Sequence, residues 1–530
     1  MTARPSILTA AQSLLTAAIL TGVLLPTSAR ADDPAAVVKA LEEELDALKE
    51  TQGKNDLEIR KLRDRLDQQA KTMEAQASFI AELRKRIQEA EALNQRMQAL
   101  EAQVAEIGGG GGPRSSKSPM EFGFHADVRV RPEISNNRTD FDGGPEDLDS
   151  FWGHRIRLGA DLGVEDWVET RVTIQESRVF GETTSTAGGF WLHEGWAEVM
   201  PPWAPGLSFR AGRMELAYGR ERLIGTDDFG LSGQAFDGVR VRYESAPWIA
   251  IDAFWAKTHA EAGFDSDGNF FGLYATTSAI PHSTLDLYYL GLMDETEITA
   301  RADIGTNTRT EDRAIHTIGL RFEGLYFDGL FIEGEAVVQL GSRTNPLIPA
   351  EDLDHLATAY AAEISYQIPS VGLPTIGAFF SSASGDANPR DGTSVDFIPL
   401  FGSRHTLLGK MDLFNWSNIL DVGGTLEFTP PRGFGFYSAF HYIRLVQSAG
   451  SLSGSFGNGK TPDPADPATE RQALGNNVGM EIDAILSWSP SDLISLEGGY
   501  SVFIPKTAIE SLGGGTDAAH WAYLQFRVQY

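Results

Sequence analysis

The sequence lacks cysteine altogether: none occurs among its 530 residues. Disulfides, thiolate metal sites and cysteine nucleophiles are therefore excluded, and burial and hydrogen bonding alone must hold the fold. Histidine is also scarce, with 10 residues scattered along the chain, and no G-x-S-x-G segment is present. Because nothing in the sequence sets a nucleophile beside its base, we predict that the protein is not an enzyme.

Positive charge is in short supply. Lysine and arginine total 44 against 73 aspartates and glutamates, which gives a formal net charge of −29. Such an excess of negative charge argues against a nucleic acid as partner. It leaves an anionic ligand open, because a local field depends on where the arginines lie.

Long apolar runs are missing except at the N terminus. Arg4 precedes an apolar run over residues 7–25, and an Ala-Arg-Ala sequence ending at Ala31 follows. This order predicts a signal peptide, residues 1–31, cleaved after Ala31. Thr and Gln residues within the run disfavour the alternative of a transmembrane anchor. Beyond this leader the sequence predicts no transmembrane helix.

Residues 35–107 contain no proline and, apart from Phe79, no aromatic residue. Their apolar residues follow an alternating four-three spacing, which predicts a coiled coil about 100 Å long at 1.5 Å per residue. A solvated single helix is the alternative, but a sustained apolar stripe needs a partner to cover it. The coil thus predicts a homo-oligomer, with a trimer favoured. A Gly-rich linker follows over residues 108–119.

From residue 120 to residue 530 the composition changes, and apolar and polar residues alternate. In the first such segment Phe122, Phe124 and Val128 share one face, whereas Arg129 and Arg131 lie on the other. The pattern recurs in residues 155–164, 313–323, 330–340 and 478–488. It is typical of a transmembrane β-barrel with apolar residues toward lipid and polar residues toward a wet lumen. A secreted β-sandwich or β-helix is the alternative.

The last strand supports the barrel. Leu524, Phe526, Val528 and the terminal Tyr530 alternate with polar residues, which resembles the C-terminal strand of bacterial outer-membrane proteins. Closure also leaves no unpaired strand edge in hydrocarbon. Dividing roughly 410 residues by about 23 per strand and connection predicts about 18 antiparallel strands in the outer membrane of a Gram-negative cell.

Two other motifs point to ligands less strongly. Residues 454–461 match the spacing of a phosphate-binding loop, but the prolines that follow prevent the helix such a loop needs. Asp265, Asp267 and Asn269 have the spacing of calcium ligands, without the glycine and the glutamate that complete an EF-hand. A calcium ion held by acidic loops is left open beside solvated loop acids, and no other cofactor is predicted.

Arginine is the informative cluster. Alternation places a set of arginines on the predicted lumen side: Arg129, Arg131, Arg155, Arg157, Arg171, Arg240, Arg242 and Arg321. Rows of arginine in a pore select anions, because confined cations lower the cost of entry for a carboxylate or phosphate. The alternative is that they pair with carboxylates of the wall and stiffen it. The candidates for that pairing are Asp161, Glu169, Glu333, Glu335 and Glu363.

Residues 212–240, GRMELAYGRERLIGTDDFGLSGQAFDGVR, resemble the alginate-export family of outer-membrane porins, and residues 316–341 and 384–418 are similar to later blocks of that family. The resemblance implies a barrel of roughly 18 strands through which acidic polysaccharide such as alginate, or another acidic solute, passes passively. By motif match it implies pore positions at Arg213, Arg222, Asp237, Arg240 and Arg321. Departures from the family pattern occur at Met214, Arg220, Phe229 and Gln234.

A second function stays open beside transport. The N terminus of such a barrel should be periplasmic, so the coiled coil would project inward from the membrane. It could tether the outer membrane to the cell wall or to a periplasmic partner, with the barrel acting as a general or phosphate-type porin.

Overall fold

The computed structural model describes the barrel region of the chain in several stretches. They are residues 120–143, 147–181, 189–260, 267–299, 308–345, 351–388, 391–406, 408–450, 452–453, 475–511 and 514–530. The predicted signal peptide, coiled coil and linker lie outside the described residues, as does the motif at residues 454–461. Within the described part, no helix is long and apolar enough to span a membrane.

Strands form nearly all of this region. Their bounds are β1 (Met120–Asn136), β2 (Asp149–Val164), β3 (Val168–Val179), β4 (Trp191–Val199), β5 (Leu207–Met214), β6 (Phe236–Ala246), β7 (Ile249–Ala260), β8 (Asp267–Thr277), β9 (Ser283–Thr299), β10 (Thr308–Tyr326), β11 (Leu330–Thr344), β12 (Asp352–Gln367), β13 (Thr375–Ala383), β14 (Thr393–Ser394), β15 (Ile419–Phe428), β16 (Phe434–Leu445), β17 (Asn477–Ser491), β18 (Ile494–Pro505) and β19 (Ala519–Gln529). A 3-10 turn covers Arg404–Thr406, and a short helix, α1, covers Thr507–Ser511.

The strands close into a barrel. Each pairs antiparallel with its neighbours in sequence, and β1 pairs with both β2 and β19, which joins the two ends of the sheet. The two-residue β14 is the exception, because it pairs in parallel with β12 inside a loop, so the wall itself has 18 strands. Closure gives every wall strand two hydrogen-bonded neighbours. The predicted antiparallel barrel of about 18 strands is confirmed.

Alternation along the strands sorts side chains as predicted. Phe122 and Phe124 are 60% and 68% exposed on the outer face of β1, whereas Arg129 and Arg131 are buried inside. The alternation in residues 478–488 predicts that Val478 faces lipid, and this prediction is wrong, because Val478 is fully buried. There Ile443 pairs with Gly479 and the next residue pairs with Asn477, so Val478 is the extra residue of a β-bulge.

The two ends of the barrel differ. One end, the turn end, carries short connections, which are residues 165–167, 200–206, 247–248, 278–282, 327–329, 368–374, 429–433 and 492–493. The other, the loop end, carries longer ones, including residues 215–235, 384–418 and 446–476. In outer-membrane barrels the short turns face the periplasm.

Two long connections fold into the lumen. The first inward loop, residues 215–235, and the second inward loop, residues 384–418, meet where Ile224 pairs with Phe401. Phe401 accepts a hydrogen bond from Gly225 N at 2.9 Å and donates one to the Leu223 carbonyl at 2.8 Å. Its ring packs 4.8 Å from that of Phe270 on the wall. An apolar core therefore occupies part of the lumen and narrows the channel.

Candidate functional site

Five arginines from three adjacent strands form what we call the arginine wall. Arg129 and Arg131 lie on β1, Arg155 and Arg157 on β2, and Arg527 on β19. Arg129 lies directly opposite both Arg155 and Arg527 in the strand register. Alternation turns all five toward the lumen, where they are buried or half-buried against the first inward loop.

Asp228 of the first inward loop supplies the counter-charge. Its carboxylate lies 2.8 Å from Arg155, 3.1 Å from Arg157 and 3.2 Å from Arg527. Burial by itself raises the pKa of Asp228, but the arginines outweigh it and lower the pKa to about 2. Asp127 on β1 adds a second carboxylate, at 2.7 Å from Arg155 and 2.8 Å from Arg527. The loop carboxylate is thus firmly ionised.

Backbone and aromatic contacts complete the arginine wall. Arg129 donates at 2.6 Å to the backbone carbonyls of Asp228 and Gly230. Arg131 donates to Glu133 at 2.7 Å and lies 3.8 Å over the ring of Phe229. The two Arg129 bonds fix the loop backbone against the barrel, and the ion pairs of Asp228 fix its carboxylate.

The opposite side of the lumen is acidic. Arg222 of the first inward loop donates to Glu333 at 2.5 and 2.8 Å and to Glu335 at 2.9 Å, both on β11. Burial lowers the pKa of Arg222, but the two carboxylates outweigh it and raise the pKa above its usual value. Arg321 joins Glu333 at 3.2 Å and Asp286 at 2.9 Å. We call Asp286, Glu333 and Glu335 the acidic wall. The first inward loop thus crosses the lumen, with Asp228 toward the arginine wall and Arg222 toward the acidic wall.

The other predicted lumen arginines are also ion-paired. Arg171 lies 2.7 Å from Asp161, Arg240 lies 3.2 Å from Glu198, and Arg242 lies 2.8 Å from Asp252. Glu333, Glu335 and Glu363, which the sequence suggested as partners, also take part, Glu363 through Arg220 at 2.9 Å. Many of the lumen arginines therefore stiffen the wall.

Two predicted pore positions lie on the outer face of the barrel. Arg213 and Asp237 pair across β5 and β6, in the register next to Met214 and Phe236. The latter two are buried in the lumen core, where Phe236 packs on Phe401. Because successive side chains alternate, Arg213 and Asp237 lie on the outer face, and their assignment to the pore is wrong. The motif match gave their positions in the chain but not the phase of the strand.

Two cavities flank Gly219 at the centre of the lumen. One, of about 320 Å³, is lined by residues that include Arg220, Arg222 and Glu363. The other, of about 310 Å³, is lined by residues that include Tyr218, Arg240, Arg242, Tyr274 and Arg321. Gly219 has a φ of 57°, and an added Cβ would lie 3.0 Å from Cδ of Arg321. Only glycine fits between the cavities without strain.

Several residues of the site were not found from the sequence. They are Asp127, Glu215, Asp228 and the second inward loop around Phe401 and Ser403. Ser403 donates to Glu221 at 2.6 Å and accepts from Asp227 N at 2.9 Å, which ties the two loops together. The run TDDFG at residues 226–230 was the one available signal, since such acids in a Gly-containing segment suit a lumen rich in arginine.

Of the suggested calcium ligands, only the side chain of Asn269 lies within the described part of the structure. Asn269 lies on β8 opposite Lys257 of β7. Asp265 lies outside the described residues, so a loop calcium site stays a prediction.

Acidification should weaken the contact between the inward loops at His405. Its ring stacks 3.4 Å from Phe229 and bonds Asp412 at 3.0 Å. Burial lowers the pKa of His405, with Asp412 opposing, so the unfolded chain takes up the proton first. The stability that the neutral His405 ring contributes to the fold is complete above about pH 6.5 and is lost as the pH falls below it. From pH 7.5 to 5 the melting temperature should fall further for the wild type than for His405→Phe. Equal falls would contradict this assignment.

Comparison with known proteins agrees with this geometry. The family model described as Alginate export matches residues 120–522. Among solved structures, OpdK of Pseudomonas aeruginosa with vanillate is similar at 12% identity and a TM-score of 0.51, covering 77% of this chain and 98% of that one. OccK2 (OpdF) of Pseudomonas aeruginosa in complex with glucuronate is similar at 13% and 0.51, covering 77% and 97%.

These identities are low, so the solved structures establish the fold alone. No curated protein matches the sequence. Family and fold both point to a transport channel in the bacterial outer membrane, in contact with membrane lipid and passing solutes. Since the family model covers most of the chain, the protein belongs to the alginate export family.

Proposed function

We propose that the protein is a passive channel for anionic solutes, with acidic saccharides such as alginate as the substrate class. The observation that carries this proposal is the place of Asp228. A loop, rather than the wall, presents the carboxylate that three arginines hold. A solute carboxylate offers the same group to the same guanidinium donors, so it can replace Asp228 when the loop moves aside.

The mechanism needs no covalent step. Confined arginines lower the cost at which an anion leaves bulk water, and several of them along the path let it pass from one to the next. The cavities beside Gly219 add hydroxyl groups, including those of Tyr218 and Tyr274, which suit the hydroxyls of a sugar. Movement is then driven by the concentration gradient alone.

The similar structures give this proposal limited support. One was solved with glucuronate and another with vanillate, and both ligands carry a carboxylate. The comparison extends to this chain only as part of the proposal.

A general porin is the second candidate. It is favoured by the many ion pairs of the lumen, such as Arg171 with Asp161 and Arg242 with Asp252. If wall carboxylates neutralise these arginines, a passing ion meets little net positive charge. In that case the predicted coiled coil could carry the structural role, by tethering the outer membrane to the cell wall.

Block of single-channel current distinguishes the two candidates. Oligomers of a uronic acid should interrupt the current of the purified protein at concentrations where neutral glucose oligomers of equal length do not. The neutral oligomer is the matched control, because it has similar size without the carboxylates. Equal block by both oligomers would contradict recognition of acidic saccharide and favour the general porin.

Deletion of residues 35–107 should leave the conductance of the folded barrel unchanged and remove self-association. The reason is that transport is proposed for the barrel and oligomerisation for the predicted coil. Single-channel recording gives the conductance, and native mass in detergent gives the number of chains. A changed conductance from a correctly folded barrel would show that the two parts do not act independently.

A further inference from the structure

The outer face of the barrel carries cations near the loop end. Arg178, Arg213, Lys257 and Arg444, which we call the cationic belt, all follow the outward alternation of their strands. Arg444 lies opposite Leu420, and Arg178 opposite His154. The residues between them and the turn end on the same faces are mainly apolar, such as Val172 and Phe440.

The height of the belt follows from strand geometry. Arg178 and Arg444 lie ten residues from the turn-end limits of β3 and β16, Lys257 lies eight from that of β7, and Arg213 lies six from that of β5. Ten residues rise about 25 Å along the axis of a barrel whose strands tilt by about 40°. The apolar band of an outer-membrane barrel is also about 25 Å tall. Arg178 and Arg444 therefore lie at the headgroup level of the outer leaflet, and the long side chains of Lys257 and Arg213 extend toward it from the apolar band.

The opposite edge of the apolar band has a different chemistry. Exposed aromatic side chains dominate there, including Trp203, Trp248 and Phe327. Across the described turns, Arg432 is the one lysine or arginine. Aromatic girdles suit any lipid–water interface, whereas cations at one edge alone indicate an anionic surface at that edge.

Local contacts make the belt suited to phosphate. Arg213 and Asp237 form an outward ion pair at 2.6 Å, with Lys257 directly opposite Asp237. On the same outer face, Tyr289 bonds His316 at 2.7 Å and Tyr500 bonds His520 at 2.8 Å. Arginine and lysine bind phosphate oxygens strongly at such an interface.

We propose that the cationic belt binds the phosphate groups of outer-leaflet lipid, a phosphorylated glycolipid, and so fixes the barrel in an asymmetric membrane. Glu176, 2.9 Å from Arg178, and Asp237, 2.6 Å from Arg213, supply two carboxylates to the four cations, and phosphate on the lipid supplies the remaining counter-charge. The inference is independent of the solute that the channel carries, because it concerns the outer face alone.

Native mass spectrometry of the full chain in detergent tests the proposal. The probes are lipid A with two phosphates, dephosphorylated lipid A and inorganic phosphate. We expect the wild type to retain the phosphorylated lipid. In the double variant Lys257→Gln/Arg444→Gln, the affinity for phosphorylated lipid A should fall by about fivefold for each positive charge removed. Arg432→Gln at the turn end is the matched control and should bind as the wild type does.

The proposal is overturned if the double variant retains phosphorylated lipid A as well as the wild type does, or if dephosphorylated lipid A binds equally well. It is also overturned if inorganic phosphate alone saturates the site, or if the protein forms a dimer that excludes the lipid. Electrophoretic mobility before and after heating verifies that each variant is folded. If the double variant does not fold, the single variants Lys257→Gln and Arg444→Gln carry the test, each with an expected loss of about fivefold.

Discussion

Replacing Arg222 with methionine is expected to lower the free energy of unfolding of the barrel by about 3–5 kcal/mol. The guanidinium is 9% exposed, and its partners Glu333 and Glu335 are 0% and 6% exposed. Methionine keeps much of the side-chain volume but leaves two buried carboxylates beside one remaining cation, Arg321. Unfolding by denaturant, followed by fluorescence of the refolded protein in detergent, measures the loss.

Arg220 is the matched control, two residues away on the same loop. It bonds Glu363 at 2.9 Å, but its side chain is 45% exposed. An exposed ion pair contributes roughly 0–1 kcal/mol, so Arg220→Met should change stability little. Equal effects of the two substitutions would contradict the view that Arg222 anchors the loop through buried charge.

Replacing Asp228 with asparagine is expected to raise the anion-to-cation permeability ratio by about fivefold. Removing a carboxylate about 4 Å from a passing anion removes roughly 1 kcal/mol of repulsion at the dielectric constant of water. It also removes one of the two carboxylates that hold Arg155 and Arg527, and one carboxylate partner of Arg157, so that a solute carboxylate can take its place. The mean open-channel current should rise as well, because the loop loses one of its anchors. Reversal potentials in a salt gradient measure the ratio.

Asp237→Asn controls for the change in net charge. Asp237 loses the same charge but lies on the outer face, beside Arg213. Its substitution should leave selectivity as in the wild type. If Asp228→Asn also left the reversal potential unchanged, the arginine wall would lie off the path of the permeating ions.

Alternation predicted the wall because a barrel strand repeats every two residues and each face meets a different solvent. Phe122 and Arg129 could be assigned to opposite faces on that ground alone. Strand alternation does not hold at the bulge that buries Val478, because the extra residue breaks the two-residue repeat. For Arg213 and Asp237, the motif match did not show which residues of the strand face the lumen.

The inward loops lay beyond sequence reasoning for a different reason. A loop has no period, so its path depends on which partners it meets across the lumen. Leu223 and Ile224 require burial, while Asp228 and Arg222 require opposite charges on opposite walls. All four residues find their partners only after the barrel closes, because closure places β1 and β2 across the lumen from β11.

The arginine wall and the acidic wall give the lumen a transverse separation of charge that the first inward loop bridges. Its acid faces the arginines and its arginine faces the acids, so the loop is held by both sides at once. In this strongly acidic chain, five arginines are thereby gathered on three strands, and the proposed anion path would run along them.

The reversal potential of the purified wild-type channel in a potassium chloride gradient, repeated with potassium glucuronate, tests the central claim most directly. We predict that the reversal potential has the sign of an anion-selective channel in both salts. A potential set by potassium in both salts would contradict the anion channel and leave a general porin whose lumen arginines are neutralised by the wall.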